Sequence, residues 1–423
     1  MDGLHLVANL YRCKGNRRYS TDAAFLRRFL LDSIASAGLT ALGDLFHQFE
    51  AAEPSATNTS PGGVTGCVVL AESHLAIHTW PELEAVTLDV YVCNYTQDNS
   101  DKARQVLSDC MRIFEPADYV RHDVPRDKQL MMEYVNPEHG YFVHSTARLA
   151  ELRTQYQALE IHDSPQFGKL MRLDGCFMTS ERDEFHYHEN LIHPALIAHP
   201  APRRGLIIGG GDGGAAEEVL KHSGIEALTM VELDGAVVDA AKRYLPTIHR
   251  GAFDDPRMNL VIDDGMRFIA ETKDRYDFIA LDLPDPIGPA TALYEEAFFR
   301  DCAKLLKAGG VLTLHMGSPI ARPDRVRAHA ERLTRVFNVV RPMILFVPLY
   351  GTLWSMACCS DSTDPGALSA EEADKRIAQR GLRDLQYYNG ATHQGVFALP
   401  NFMRDLVAPT EQSRILSRRA VTS

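Results

Sequence analysis

Runs of strand-forming residues and helically spaced apolar residues define the first part of the chain. Residues 4–11 and the runs that end at Ser73 and Cys93 are rich in strand-forming side chains, and we predict that they are β-strands. Apolar residues at helical spacing predict helices over 22–37 and 101–114. This part of the chain is therefore predicted to be a small α+β domain.

Capping residues and composition set the boundaries of this part. The first helix is predicted to begin after a cap at Ser20 and Thr21. The α+β domain is assigned to residues 1–118, and the charged, proline-containing segment 119–129 is predicted to be a linker. A hairpin pattern that ends in Asp-Gly follows, and it predicts a small β domain over residues 130–200.

After Pro202 the pattern changes to buried strands that each lead into a turn or a helix. The runs GLIIGGGDGG, LTMVELDG, LVIDDG and YDFIALDLPDP show this pattern. Such alternation predicts parallel strands joined by crossover helices. We therefore expect a doubly wound, Rossmann-like (methyltransferase-like) α/β domain over residues 201–423.

The composition is that of an ordinary globular protein. The 423 residues carry a formal net charge of −12, which argues against nucleic-acid binding and favours a cationic ligand. The eight cysteines form no C-x-x-C pair, so reduced thiols, a cytoplasmic location and no metal are predicted. Neither an export signal nor a membrane span is predicted.

Carboxylates end three successive strands of the predicted sheet. They are Asp212, in a glycine-rich turn with Gly209 and Gly211, then Glu232 and Asp264. With no Lys or Arg nearby for a phosphate, these acids favour a positively charged nucleoside such as S-adenosylmethionine or a derivative. Asp212 would repel a ligand carboxylate and attract an ammonium, by about 4 kcal/mol at ~4 Å for an effective dielectric of about 20. The tail of the ligand is therefore predicted to be an amine without its acid.

Together, the motifs GGGDGG, VELD, DDG, LDGxxxxSERDEFHYHE and DLPDPIGP resemble the spermidine synthase family of aminopropyltransferases. The resemblance covers residues 130–423. It implies decarboxylated S-adenosylmethionine as donor, an amine such as putrescine as acceptor, and spermidine and methylthioadenosine as products. Matching positions imply that Asp212 holds the aminopropyl ammonium, Glu232 the ribose and Asp264 the adenine. The residues implied to line the acceptor are Gln157, Tyr187, His188, Asp282, Asp285 and Tyr350.

Asp282 is the candidate base of this transfer. Only a free amine can attack carbon, and deprotonating an alkylammonium at pH 7 costs roughly 4.6 kcal/mol. Asp282, aided by Tyr187, would take the proton, and Asp285 would hold the far end of the acceptor. The family usually has Ser or Thr between these aspartates, where this chain has Leu283 and Pro284. The acceptor therefore stays open between putrescine, agmatine and spermidine.

The first part of the chain carries a second motif. Residues 62–93, GGVTGCVVLAESHLAIHTWPELEAVTLDVYVC, resemble the short prokaryotic S-adenosylmethionine decarboxylase, and the match extends over most of residues 4–118. The resemblance implies a pyruvoyl decarboxylase domain whose chain breaks itself between Glu72 and Ser73, so that Ser73 becomes a covalent pyruvoyl group. It also implies a homodimer or higher homo-oligomer, with the decarboxylase site built across two protomers.

The residue types suit that chemistry. A serine hydroxyl held against the preceding carbonyl can shift the acyl group from nitrogen to oxygen, and elimination then leaves a ketone that accepts electrons from a departing carboxylate. His78 is placed to move the α-proton, Thr65 to stabilise the strained intermediate and Cys93 to protonate the product carbon. Phe49 is a candidate to stack on the adenine.

The two halves explain each other, because the first would make the donor that the second consumes. We therefore interpret the chain as a bifunctional, self-processing enzyme of polyamine synthesis. Three alternatives stay open at this point. The decarboxylase could act on another amino acid, such as ornithine or arginine; the second half could be a methyltransferase; or the chain could be a pseudoenzyme that senses polyamines or nucleosides.

Overall fold

The computed structural model describes residues 3–50, 62–126 and 130–408. Its internal contacts divide the chain into two compact units, Met1–Gln129 and Leu130–Ser423. Within the described ranges, no helix combines the length and the apolar character needed to cross a membrane.

The first unit is a six-stranded antiparallel sheet with the order β2-β3-β4-β5-β1-β6. Its strands are β1 (Gly3–Cys13), β2 (Ala41–Gln48), β3 (Val64–Leu70), β4 (Ser73–Trp80), β5 (Ala85–Cys93) and β6 (Pro116–Pro125), and its helices are α1 (Arg18–Thr21), α2 (Ala23–Ser36) and α3 (Ser100–Phe114). Leu26 of α2 and Phe114 of α3 pack with Leu6 and Ile77 of the sheet in one buried core. Because strand side chains alternate between faces, the residues next to these core positions lie on the opposite face of the sheet.

Two sequence predictions for this unit are wrong. Asp22, rather than Ser20 or Thr21, caps α2, since its side chain accepts the Phe25 N–H at 3.0 Å. Most of the predicted linker 119–129 belongs to β6, which pairs with β1 along almost its whole length. The described side chains at 117–124 of this edge strand are exposed, so the sequence shows no buried apolar alternation there.

The second unit contains a hairpin, a small sheet and a large sheet. Its strands are β7 (Leu130–Asn136), β8 (His139–His144), β9 (Ala147–Arg153), β10 (Ala158–Ser164), β11 (Gly168–Leu173), β12 (Cys176–Ser180), β13 (Arg204–Gly209), β14 (Ala227–Glu232), β15 (Met258–Ile262), β16 (Tyr276–Asp282), β17 (Leu306–Gly317), β18 (Val339–Val347) and β19 (Thr352–Ser360). Its helices are α4 (Glu184–Ala198), α5 (Gly214–Leu220), α6 (Gly235–Tyr244), α7 (Pro246–His249), α8 (Gly265–Glu271), α9 (Glu296–Leu305), α10 (Pro323–Val336), α11 (Ala370–Gln379), α12 (Gly390–Phe397) and α13 (Asn401–Val407). β7 pairs with β8, and the small sheet has the antiparallel order β12-β11-β10-β9.

The large sheet has the order β15-β14-β13-β16-β17-β19-β18. Strands β13 to β17 run parallel, and β19 is antiparallel to both of its neighbours. Helices α4, α5 and α12 contribute to the core on one face, and α9, α10 and α13 to the core on the other. Helices thus cover both faces, as a doubly wound sheet requires, and the carboxyl ends of β13, β14 and β16 meet at one edge.

Helix α4 falls within the small β domain predicted over 130–200, but in the structure it packs against the large sheet. Its apolar residues Leu191 and Leu196 share a core with Ile207 and Phe278 of the large sheet. The small β domain predicted over 130–200 therefore ends before α4. The sequence boundary was wrong because it followed the proline-rich segment after α4 rather than the surface that the helix buries.

Candidate active sites

A glycine-rich turn after β13 brings three strand ends close together. Gly209 and Gly210 adopt φ angles of 83° and 75°, and the Gly210 N–H donates to the Asp282 carbonyl oxygen at 3.0 Å. A Cβ at Gly209 would lie 2.1 Å from that same oxygen, so only glycine allows this approach to β16. The turn then leads into α5 and leaves Asp212 beside the end of β16.

Glu232 ends β14 and lies against this turn. Its carboxylate accepts the Asp234 N–H at 2.9 Å, and a Cβ at Gly211 would lie 2.9 Å from its Oε2. Burial raises the pKa of Glu232 to about 7, with the charges of Asp234 and Asp282 adding to the increase. A carboxylate in this position can accept hydrogen bonds from the hydroxyls of a ribose.

Two residues predicted to bind ligands, Asp264 and Gln157, make hydrogen bonds within the protein that the sequence did not indicate. Asp264 is exposed and caps α8, since its Oδ1 accepts the Met266 N–H at 2.7 Å. Gln157, which was assigned to the acceptor, instead donates to Asp234 Oδ2 at 3.1 Å. The β9–β10 turn thus lies against the start of α6 and brings Gln157 close to the residues around Glu232, and the assignment of Gln157 to the acceptor stays a prediction.

A buried histidine connects the acids of this edge. His188 Nδ1 lies 2.8 Å from Glu184 Oε2, and its Nε2 lies 3.5 Å from Asp212 Oδ2. Both ring nitrogens face carboxylates, which suits an imidazolium because neutral imidazole has a single N–H. Burial by itself would lower the pKa of His188, but Asp212 and Glu184 raise it well above its usual value. The helical spacing of Glu184 and His188 on α4 is a signal in the sequence that could have identified Glu184.

His188, Asp212 and Asp282 form a compact site for a cation. Their polar atoms all lie within 4.8 Å of one another. Because an imidazolium has no free ring nitrogen for a metal ion, the carboxylates of Asp212 and Asp282 are better suited to an ammonium group. The pKa of Asp282 is raised to about 6: burial and the charge of Asp212 increase it, and they outweigh His188 and Tyr187, which lower it. A carboxyl group that titrates close to neutral pH inside a buried pocket is a candidate proton acceptor.

Aromatic side chains enclose Asp282. The Tyr187 ring is buried and its centre lies 6.0 Å from that of Tyr350. The Tyr350 hydroxyl donates to the Met178 carbonyl oxygen at 2.8 Å. The structure thus brings three other predicted residues, Tyr187, His188 and Tyr350, together around Asp282.

The loop after β16, which carries Asp285, is fixed by residues that the sequence did not identify. His315 Nε2 donates to the Leu283 carbonyl oxygen at 2.8 Å, and the Tyr294 hydroxyl donates to the Pro284 carbonyl oxygen at 3.0 Å. Both of these side chains are buried. No local motif marks them, because their partners are backbone atoms of a separate segment.

In the first unit, Ser73 and Cys93 lie together. Ser73 begins β4 and Cys93 ends β5, and the Cys93 N–H donates to Ser73 Oγ at 2.9 Å. Glu72 occupies the preceding turn, where its Oε2 is buried and has no hydrogen-bond partner among the described residues. A serine oxygen is therefore held beside the bond that the sequence predicts to break.

The other predicted decarboxylase residues lie at the opposite end of this sheet. Thr65 Oγ1 is 3.1 Å from His78 Nδ1, and the ring of Phe49, 50% exposed, packs edge-on against His47 at 4.9 Å between centres. Ser73 precedes His78 by five positions on β4, a separation of roughly 16 Å along a strand. An odd spacing also places the two side chains on opposite faces. One chain therefore holds these predicted residues as two separate groups.

Comparison with known proteins identifies the second unit. Residues 184–367 match the Spermine/spermidine synthase domain, and residues 135–181 match the Spermidine synthase tetramerisation domain. The crystal structure of a spermidine synthase in complex with the transition state analogue AdoDATO has a TM-score of 0.63 and 34% identity, and the match covers 67% of this chain and 96% of that one. The spermidine synthase from Thermotoga maritima has a TM-score of 0.61 and 33% identity, with 68% and 96% covered.

A polyamine aminopropyltransferase of Nitrosomonas europaea is 48% identical over 277 residues, which cover 66% of this chain and 85% of that protein. This chain belongs to the polyamine aminopropyltransferase family. Polyamine aminopropyltransferase 1 of Pseudomonas aeruginosa is similar as well, with 45% identity over 256 residues that cover 60% of this chain and 89% of the relative.

This aminopropyltransferase carries a second enzyme domain. Residues 4–127 match the S-adenosylmethionine decarboxylase family, which depends on a pyruvoyl group. The predicted fusion is therefore confirmed, and the chain is an enzyme of polyamine biosynthesis with decarboxylase and aminopropyltransferase activities. The match extends to the end of β6 and so includes most of the segment that the sequence analysis treated as a linker.

Proposed function

We propose that this enzyme makes its own aminopropyl donor: it cleaves itself between Glu72 and Ser73, decarboxylates S-adenosylmethionine, and transfers the aminopropyl group to putrescine, which gives spermidine and methylthioadenosine. The observation that carries the proposal is the position of Asp212 in the glycine-rich turn, beside His188 and Asp282. Two carboxylates, Asp212 and Asp282, at one site suit an ammonium group and disfavour the carboxylate that a methyl donor keeps.

The test supplies the purified full chain with S-adenosylmethionine and a panel of putrescine, agmatine and spermidine, without added decarboxylase. We expect release of carbon dioxide, formation of methylthioadenosine and an aminopropylated product with putrescine, identified by mass spectrometry. Formation of S-adenosylhomocysteine would show methyl transfer instead. Release of carbon dioxide from ornithine or arginine, but not from S-adenosylmethionine, would reassign the decarboxylase.

The geometry around Ser73 supports self-cleavage. The Cys93 N–H keeps Ser73 Oγ beside the Glu72–Ser73 bond, and attack by this oxygen on the Glu72 carbonyl carbon would exchange the amide for an ester. Loss of the α-proton of residue 73 then breaks the ester and releases the main-chain carboxylate of Glu72. Water converts the dehydroalanine that remains at position 73 into a ketone, with release of ammonia. That ketone supplies the electron acceptor for decarboxylation, and the Cys93 thiol is positioned to return a proton to the product carbon.

The separation of the two residue groups supports a site shared by two protomers. His78 lies roughly 16 Å from Ser73 along β4, and Thr65 contacts His78 from β3 at 3.1 Å. The side chain that removes the α-proton must come within hydrogen-bonding distance of it. We therefore assign this step to the partner subunit's His78, supported by the partner subunit's Thr65, with the partner subunit's Phe49 available to the adenine.

Complementation between two inactive variants tests this arrangement. Ser73→Ala and His78→Ala chains, each full length and carrying different tags, should be uncleaved when expressed alone. In mixed dimers one site combines Ser73 of the His78→Ala chain with His78 of the Ser73→Ala chain. We expect only the His78→Ala chain to be cut, as measured by denaturing mass spectrometry after co-expression. Absence of cleavage in the mixture, or cleavage of His78→Ala alone, would contradict the shared site.

For the transfer, the acids and aromatic groups of the second unit have separate tasks. Glu232 would accept the ribose hydroxyls and Asp264 the adenine amine, while Gln157 supports the ribose side through Asp234. Asp212 would hold the ammonium of the aminopropyl group. Asp282 would take a proton from the attacking amine, and its raised pKa makes it a better acceptor than an ordinary carboxylate.

A further inference from the structure

The carboxylate implied to hold the far end of the acceptor is already engaged. Arg325 Nη1 lies 2.5 Å from Asp285 Oδ2, with side-chain exposures of 20% and 33%. A guanidinium keeps its positive charge at every pH at which the enzyme works. The far end of the acceptor pocket therefore presents an ion pair with no net charge rather than a free anion.

The structure holds this pair in place from both sides. Arg325 lies on α10, and its Cδ would be 3.7 Å from a Cβ at Gly317, so the side chain runs close over the backbone at the end of β17. On the other side, His315 and Tyr294 fix the carbonyl groups of the loop that carries Asp285. The backbone that carries Asp285 is therefore held next to the Arg325 side chain.

A second acid near the pair does not replace Asp285. Glu133 on β7 is close enough for Asp285 to raise its pKa, but burial contributes most to that increase. Its carboxylate accepts the Phe177 N–H at 2.5 Å. Glu133 is therefore held by the backbone at Phe177, whereas the charge of Asp285 is paired with Arg325.

We propose that Arg325 is a specificity-determining residue for the acceptor amine, and this inference rests on the transfer proposed above. Arg325 cancels the charge of Asp285 and repels a second terminal ammonium. Asp285 by itself would make the enzyme prefer diamines over monoamines, and Arg325 weakens that preference. Amines whose far end is uncharged or carries a more dispersed charge are penalised less. The pair therefore broadens the range of acceptors.

The test compares putrescine with n-butylamine, which has the same reactive end and lacks the second amine. Arg325→Met removes the charge and keeps an unbranched apolar stem. We expect it to raise the ratio of kcat/KM for putrescine to that for n-butylamine by about tenfold, mainly through a lower KM for putrescine. Arg325→Lys, the matched control, keeps the charge and should leave the ratio within about twofold of the original. A ratio that is unchanged or lower in Arg325→Met would overturn the inference.

Two further variants keep the inference testable if Arg325→Met folds poorly. Asp285→Asn leaves Arg325 uncompensated and should lower the ratio by about tenfold, while the double variant removes both charges and should restore it to within about twofold. An unchanged ratio in Asp285→Asn would also overturn the inference. A wild-type enzyme that forms no methylthioadenosine with either amine would instead count against the proposed function.

Discussion

Ser73→Ala is expected to remain a single chain of 47.1 kDa and to release no carbon dioxide from S-adenosylmethionine, while its aminopropyl transfer from supplied donor is unchanged. Alanine has no hydroxyl with which to attack the Glu72 carbonyl, so neither the break nor the ketone can form. The glycine-rich turn and Asp282 belong to the other compact unit and do not depend on that bond. Denaturing mass spectrometry, carbon dioxide release and methylthioadenosine formation measure the three properties.

Ser36→Ala provides the matched control, because this serine is exposed at the end of α2. It should cleave and decarboxylate as the unmodified chain does. A cleaved Ser73→Ala chain would remove Ser73 as the nucleophile. Loss of transfer together with decarboxylation would contradict two independent sites.

Asp282→Asn is expected to have the opposite effect: chain cleavage and decarboxylation persist, and aminopropyl transfer falls by about a hundredfold or more. The amide cannot take the proton of the attacking amine, and the change also removes one of the carboxylate charges near His188. In the unmodified enzyme the carboxylate must be ionised, so kcat/KM for the acceptor should fall as the pH drops below about 6, the pKa that burial gives Asp282. This decrease should be absent from the residual activity of Asp282→Asn. Initial rates of methylthioadenosine formation across pH measure both effects.

Asp239→Asn, on the exposed surface of α6, is the control for this change and should retain full transfer. A normal rate in Asp282→Asn would rule out Asp282 as the base. A normal rate combined with a changed KM for the acceptor would assign it to binding alone.

The sequence predicted those parts of the structure that depend on local patterns. The buried strands before Asp212, Glu232 and Asp282 follow one another closely, and each ends in a turn, so their meeting at one sheet edge could be predicted from the topology of parallel strands. The sequence also assigned Ser73 and Cys93 to one reaction, and the structure brings them together on the neighbouring strands β4 and β5. These features can be predicted because they depend only on the order of residues within short segments of the chain.

The remaining features depend on contacts between distant segments. Arg325 reaches Asp285 from 40 positions away, and no pattern near either residue indicates the pairing. Gln157 reaches Asp234 from 77 positions away, and a single residue on a turn gives no sign of the surface that the turn covers. β6 was missed because an exposed edge strand has no face that must be apolar. In each case the tertiary fold, and not the local sequence, decides the contact.

The strand order of the first unit also determines what becomes of the two pieces after cleavage. The shorter piece would contain β1, β2 and β3 and the longer piece β4, β5 and β6, yet β1 lies between β5 and β6. The backbone hydrogen bonds of three ladders, β1–β5, β1–β6 and β3–β4, therefore hold the shorter fragment within the sheet. The fragments should co-migrate during native chromatography, and they separate only once that sheet is unfolded.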